Sequence, residues 1–217
     1  GNKGRRGRNN RRRKPIGLKY VINSFDQIVT RSLIDFLFKQ KQQKVQYGPQ
    51  KALISQVEIH QQSLLQLYSS ARPLTTFDLK FITPTSYNVM GSKLEMRFPL
   101  PPIFFGSLIR LWNSLFSETK LEIEPTLYEW IESHVFIESY DLKTRKWDMG
   151  KPVRFQGFIG NVRMGVMVKD KYHLTQEEQE NCRWLDTLLW FGEFAGTGKE
   201  RTAGFGRFKF YARKNRR

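Results

Sequence analysis

Residues 192–210 read GEFAGTGKERTAGFGRFKF, and the segments on either side of that stretch decide the fold. Gly196, Gly198, Gly204 and Gly206 form a G-x-G-x5-G-x-G pattern, with Lys199, Arg201 and Thr202 between the pairs and Arg207 directly after. Glycine opens backbone conformations closed to other residues and lets N–H groups approach an anion, while the cations neutralise it. A Walker A loop would need Gly at 193 and Ser or Thr at 200, where Glu193 and Glu200 stand. A dinucleotide loop would need Gly at 201, which is Arg201. The stretch suits phosphates without matching either nucleotide motif; the plainer alternative is a ligand-free connection between a helix and a strand.

Outward from this loop the pattern is regular. Phe205–Tyr211 reads as a strand, and on the other side Thr175 and Glu178 form a capping box for a helix carrying Cys182, Leu185, Leu188 and Leu189. Val135–Tyr140 and Val153–Val168 are strongly β-like and flank the basic, turn-forming segment Asp141–Pro152. Pro99–Pro102 leads into a predicted helix over Ile103–Phe116, with Phe104, Leu108, Leu111, Trp112 and Leu115 on one stripe, and Phe77, Leu79 and Phe81 alternate in a strand ending at Thr83–Pro84. Residues 75–211 therefore run β, α, β, β, α, β, the order of a ferredoxin-like or RNA-recognition-motif-like α+β domain.

The first part of the chain supplies the last three elements of another such unit. Gly17–Asn23 reads as a strand, Ser24 with Gln27 as a capping box opening a helix to about Gln40, and Ala52–His60 as a second strand. The expected organisation is α+β with tandem ferredoxin-like domains, the first incomplete at its N-terminus: a basic arm over 1–16, the first domain over 17–73, the second over 74–211 and a basic tail over 212–217. Gly1 in place of Met points to a chain processed, cut or engineered at its start, with the missing elements upstream or on a companion segment.

Charge narrows the function. The 217 residues carry 37 Lys and Arg against 20 Asp and Glu, a formal +17, and the ends are the most basic, with eight cations and no acid over residues 1–14. Such runs stay solvated and contact polyanions. An anionic membrane is the rival partner, but no basic amphipathic helix or lipidation signal accompanies the arms, which favours nucleic acid and no membrane. No apolar run approaches the roughly 20 residues of a membrane span, and the single Cys182 cannot form an internal disulfide, so a reducing cytoplasm is expected.

FGEFAGTGKERTAGFGRF, together with FDLKFITPTSY (77–87) and PLPPIFFGSLIRLWN (99–113), resembles the repeat-processing endoribonucleases of CRISPR systems, members of the RAMP superfamily. KPIGLKYVINSFDQIVTRSLIDFL (14–37) is similar to that family's third strand and second helix. The resemblance implies two ferredoxin-like domains and cleavage of precursor CRISPR RNA within its repeat, without metal or other cofactor, leaving a 2′,3′-cyclic phosphate and a 5′-hydroxyl. It implies CRISPR repeat RNA as the partner, with other Cas effector subunits as further candidates. The helix that usually carries the family's catalytic histidine has no counterpart in this sequence. A non-catalytic RAMP subunit holding CRISPR RNA in an effector complex is the alternative, and a general RNA-binding protein a third.

Metal-free cleavage needs a base for the 2′-hydroxyl, an acid for the leaving 5′-oxygen and a cation for the phosphate. Of the three histidines, His60, His134 and His173, none has Cys or His partners at metal spacing, and His60 is the candidate base because it falls in the incomplete first domain. The expected RNA contacts are the loop residues above and the hairpin cations Lys143, Arg145, Lys146, Lys151 and Arg154, spaced to follow a duplex backbone. Phe155, Phe158, Trp112, Trp184 and Trp190 have core periodicity and read as packing residues.

Overall fold

A computed structural model describes residues 21–213 except 42, 48–49, 62, 90–93, 117–122, 124 and 149–153. In chain order the elements are α1 (Gln27–Gln40), β1 (Lys44–Tyr47), β2 (Gln50–Leu53), α2 (Leu64–Ser70), β3 (Thr76–Thr85), β4 (Tyr87–Asn88) and β5 (Glu95–Met96). There follow α3 (Pro101–Phe116), α4 (Pro125–His134), β6 (Val135–Asp148), β7 (Arg154–Val166), α5 (Gln176–Ala195), a 3₁₀ turn at Arg201–Ala203 and β8 (Phe208–Ala212). The arm expected at 1–16 lies outside the described residues, as do residues 214–217 of the tail expected at 212–217, whose first residue, Ala212, ends β8.

From β3 onward the expected order holds, with α4 added before β6. The sheet is antiparallel, ordered β6-β7-β3-β8, so the first and third strands of the β-α-β-β-α-β unit lie side by side in its middle. Alternation on β3 turns Phe77, Leu79 and Phe81 to the buried face. There they meet Phe104, Leu108 and Trp112, which stack at four-residue intervals along α3, and Cys182, Leu185 and Leu189 of α5. Phe81 touches the rings of Phe104, Phe158 and Phe208 at centroid distances of 6.0, 4.7 and 5.9 Å. Each such buried ring contributes about 1.5–3 kcal/mol by leaving water. Burial pushes the Cys182 thiol up to about 12, so it acts as a small apolar core residue.

The Thr175–Glu178 capping box is formed as expected. Ser63 and Gln66 make another at α2. At α1 the cap is Asp26, whose Oδ1 accepts the Val29 N–H at 2.8 Å, while Ser24 Oγ donates to the Asp26 carbonyl. A carboxylate outcompetes a hydroxyl for the orphan donors of a first turn, which moves the helix start two residues on.

The first part of the chain departs further from expectation. Val21–Asn23 is irregular, and of the strand expected over Ala52–His60 only the start is extended, within β2; β1 and β2 pair only with each other among the described residues. Alternating side chains make a strand only where a neighbour completes the ladder, and residues 54–60 have none among the described residues. The helix α1 buries none of its residues; Ile28, Val29 and Phe36 stand exposed. Contacts with α5 hold this part in place: Phe25 against Phe191 at 5.6 Å, Asn23 Nδ2 donating to the Phe194 carbonyl at 2.7 Å, Tyr68 against Trp184 at 4.6 Å, and the Arg72 N–H donating to Asp186 at 2.8 Å.

Candidate nucleic-acid interface

The glycine loop is held by its own backbone. At the end of α5, Gly196 (φ 72°) returns its N–H to the Gly192 carbonyl, the Thr197 N–H donates to Gly206 O, and the Lys199 N–H donates to Ser86 O. The Gly198 N–H donates to Ser107 Oγ on α3 at 3.1 Å, and the Gly206 N–H to Pro84 O at 3.1 Å. Gly198 and Gly206 have φ of 75° and 70°, and a Cβ on either would collide with the carbonyl of Ser86 or Thr197, so two of the four glycines are there for close backbone approach. Gly204 (φ 88°) has nothing near its missing side chain and marks the open tip. The non-glycine Glu200 also takes a positive φ, 53°, and its carbonyl accepts from Ala203 and Phe205.

Those bonds correct the chemical rationale of the motif. The N–H groups of 196–199 and 203–207 are spent on protein acceptors, so they are not a cradle for phosphates. Any anion the loop attracts meets side chains instead. Lys199 Nζ lies 2.5 Å from Glu95, which also approaches Arg97 at 3.6 Å. The lysine hydrogen bond holds the Glu95 carboxyl below its usual range against the opposing effect of burial. Arg201 Nη1 is buried without a partner, and burial pushes its guanidinium down from the usual value. Thr202 is exposed, and the Arg207 N–H donates to Thr83 Oγ1 at 2.9 Å.

The basic hairpin reaches the same place. β6 and β7 pair continuously from Ser139↔Arg163 to Asp148↔Arg154, and the outer half of β6 is exposed on both faces, so the ribbon projects past the sheet. Lys143 and Arg145 share one side of β6 and Lys146 takes the other. Arg154 begins β7; Lys151 lies outside the described residues. Near the turn end of the ribbon Phe155, opposite Trp147, stacks on Phe205 of the glycine loop, centroids 4.2 Å apart and rings 26° from parallel. The backbone at Gly157 passes so close to Thr85 that a Cβ there would sit 2.5 Å from the Thr85 nitrogen. Loop and ribbon are thus one cationic surface, joined by two aromatics and a glycine contact that the sequence offered only as separate signals.

Behind the loop, α3 and the loop border an open cleft of about 270 Å³ lined in part by Tyr87, Ser107, Arg110, Ser114, Lys199 and Arg201. Arg110 and Ser107 were not singled out by sequence reasoning, because α3 was read for its apolar stripe alone, and neither was Tyr87 of β4. Tyr87 is buried, its hydroxyl faces Thr197 without hydrogen-bonding geometry, and desolvation drives its phenol far above the ordinary value.

The histidines lie apart. His60 is on the irregular stretch before α2, its side chain 89% exposed and 3.9 Å from Glu58. His134 ends α4, with Nδ1 3.0 Å from the Trp130 carbonyl and its ring stacked on Trp130 at 4.8 Å, a helix-terminal packing role. His173 pairs with Asp170 at 2.8 Å in an exposed turn. Among the described residues no cluster of His, Cys, Asp or Glu could hold a metal ion. Trp112 and Phe158 are core residues as expected, but Trp190 is 45% exposed, leaning edge-on against Phe210. No helix among the described residues is long and apolar enough to cross a membrane.

Comparison with known proteins places this surface in a family. The family described as CRISPR-associated endoribonuclease Cas6 matches residues 79–208, which include most of β3, α3, the hairpin and the glycine loop. A Streptococcus thermophilus CRISPR-associated endoribonuclease Cas6 is 28% identical over 168 residues, 76% of this chain. The chain spans less than two thirds of that relative, 64% of its length. Among solved structures, a Cas6 product complex (TTHA0078) superposes with a TM-score of 0.66 at 22% identity, covering 87% of this chain and 77% of the other. The product complex of Thermus thermophilus Cas6 (TTHB231) gives 0.68 at 19% identity, covering 86% and 72%. Both structures share the fold. With the family match running over more than half of its residues, this chain belongs to the CRISPR-associated endoribonuclease Cas6 family.

Proposed function

We propose that this chain serves CRISPR RNA maturation: it binds the repeat of precursor CRISPR RNA and cuts within it. The 2′-oxygen loses its proton to a base and attacks the adjacent phosphorus; the P–O5′ bond breaks, a 2′,3′-cyclic phosphate forms, and the departing 5′-oxygen takes a proton. Side chains supply the acid, base and cation in this reading, and no metal takes part. The observation that carries it is the union of glycine loop and cationic ribbon within the family-matched residues 79–208, coupled through Phe155 and Phe205.

Lys199, Arg201 and Arg207 would neutralise phosphates at the loop, with Thr202 and the glycines shaping it, and Lys143, Arg145, Lys146, Lys151 and Arg154 would follow the repeat stem. In the domain reading, 17–73 is the later part of a first ferredoxin-like domain and 74–211 the second. The unburied apolar side of α1 supports this reading, since such a helix packs on a sheet. The strands of that sheet would come from a preceding stretch of the same polypeptide or from a companion segment, and other CRISPR effector subunits are candidate partners in the cytoplasm. His60 is the candidate base.

A second reading, that the chain holds CRISPR RNA without cutting it, is favoured by the open setting of His60, whose one ion-pair partner among the described residues is Glu58. Incubation of repeat RNA with the chain in EDTA separates the two. Binding with slow formation of a product ending in a cyclic phosphate is expected. Binding with no such product, in EDTA or magnesium, would favour the holding role, and a chain that does not bind repeat RNA would defeat both.

A further inference from the structure

The cleft between α3 and the glycine loop has chemistry that the fold of the loop leaves unused. None of its lining residues is a carboxylate, yet Arg110, Lys199 and Arg201 all reach it. Glu95 answers Lys199 alone among these three. Arg110 has no hydrogen bond or ion pair among the described residues. Arg201 Nη1 is buried and unpartnered, a costly arrangement for a cation unless an anion enters. Ser107 Oγ accepts the Gly198 N–H at 3.1 Å, so its own hydrogen remains to be donated into the cleft, and Ser114 Oγ, which donates its hydrogen to the Leu111 carbonyl at 2.8 Å, adds an acceptor for a ligand hydroxyl on the same helix. Arg110 follows Ser107 by three positions and Ser114 follows Arg110 by four, so all three fall on one face of α3.

Size and polarity select the occupant. A volume of about 270 Å³ is just under the roughly 300 Å³ at which pockets for drug-sized molecules begin, far too small for paired strands and suited to a single nucleotide. Cations for a phosphate, hydroxyls for a ribose 2′-hydroxyl and the side chain of Leu111 on the wall make a set that matches one ribonucleotide. We propose that this cleft is a subsite for one unpaired nucleotide of the bound RNA, its phosphate held by Arg110 and Arg201 and its sugar by Ser107 and Ser114. The proposal rests on the RNA-binding reading above and adds a strand-specific contact on the α3 side of the loop, away from the ribbon.

The test uses two RNAs, a repeat stem-loop bearing an unpaired tail and the same stem without it, with wild-type protein, Arg110→Ala, Arg110→Lys and the cleft-filling Ser114→Trp. Arg110 and Ser114 are exposed, so folding should survive, and circular dichroism verifies it. For the tailed RNA, Arg110→Ala and Ser114→Trp should each weaken binding by about tenfold, the worth of one charge-assisted hydrogen bond. Arg110→Ala should also lower the salt slope by about 0.7, and Arg110→Lys should restore that slope. Affinity for the bare stem should not change in any variant. Equal affinity of wild type and both disruptive variants for the tailed RNA overturns the proposal while leaving the broader reading intact. Loss on both RNAs alike assigns Arg110 to general RNA attraction and also overturns it. Titration with inorganic phosphate and with adenosine monophosphate forms the last arm: a thermal shift abolished by Arg110→Ala, with no effect on tailed RNA, would make the cleft a small-anion site and reject the RNA occupant. Failure of the wild type to bind either RNA removes the broader reading and the subsite together.

Discussion

Asp186 shows how a single buried carboxylate can tie the two parts of the chain together at a cost. It sits 5% exposed on α5 and accepts the Arg72 N–H at 2.8 Å. Burial raises its carboxyl above the ordinary value, only partly opposed by the Arg72 backbone and charge. An acid raised in the folded state ionises first in the unfolded chain. Its contribution is therefore retained at pH below the unfolded value, near 3.8, and is lost as pH rises through the folded value. Asp186→Asn keeps an acceptor for Arg72 without the charge. The variant should melt at the same temperature as wild type near pH 3 and higher at pH 7, as followed by calorimetry across that range. A variant that melts lower at pH 7 would mean that the ionised form is the stabilising one. Asp78 and Glu95 tilt the other way in both proteins. Burial pushes Asp78 up, but Arg163 at 2.9 Å and Arg213 together outweigh it and hold the carboxyl low, and Glu95 is held low by Lys199. Their stabilisation is present at neutral pH and lost as pH falls through their depressed values, so the comparison between variant and wild type isolates Asp186.

At the scale of elements, the β6–β7 ribbon carries its cations beyond the core, which makes it the part of the surface best suited to a rigid array of phosphates. Lys143 and Arg145 are two residues apart on one side, about 7 Å along the strand, and Lys146 is on the other. Charge reversal at Lys143, Arg145 and Lys146 should weaken binding to a repeat that forms a stem more than to an unpaired repeat of equal length. The salt slope on the stem should fall by about 0.9 for each phosphate that the ribbon no longer neutralises. Equal weakening on both RNAs, read by fluorescence anisotropy, would reject stem recognition. This ribbon was legible in the sequence because two β-rich segments flank a basic turn, as were β3 and α3, whose periods of two and about four are dictated by the core they enter. The glycine loop was legible as a signal but not in its logic. Four glycines between cations look like an anion cradle, whereas two of them exist for backbone contacts with Ser86 and Thr197 and the N–H groups are already bound. The Arg110 side of the cleft was invisible, since an exposed arginine on an amphipathic helix looks like ordinary solvated surface until the loop folds over beside it. Residues 54–60 misled for a related reason: alternation is a local property, but a strand requires a partner that the local sequence cannot supply.

For the whole molecule, stability is distributed as unevenly as charge. Residues 75–212 share one continuous core in which β3 has strands on both sides and two helices on one face. Residues 21–73 include a helix with no buried residue and a two-stranded hairpin paired with nothing else described, anchored on α5 by Phe25, Asn23, Tyr68 and Arg72. Opening free energy follows the apolar surface that an element buries, so this part should open locally without unfolding of the core. The +17 charge adds self-repulsion that favours such opening at low ionic strength. Native-state hydrogen exchange should therefore show amides of α1, β1 and β2 exchanging through low-energy openings, while β3, β7 and the middle of α5 exchange only near the global unfolding free energy. The short helix α2, with Leu67 buried and Tyr68 on Trp184, should fall between the two. Tyr68→Ala should speed exchange in α2 and leave β3 unchanged, because it severs an anchor and not the core. Protection of α1 equal to that of β3 in the chain alone would sink this division, for it would require the apolar side of α1 to be covered in solution.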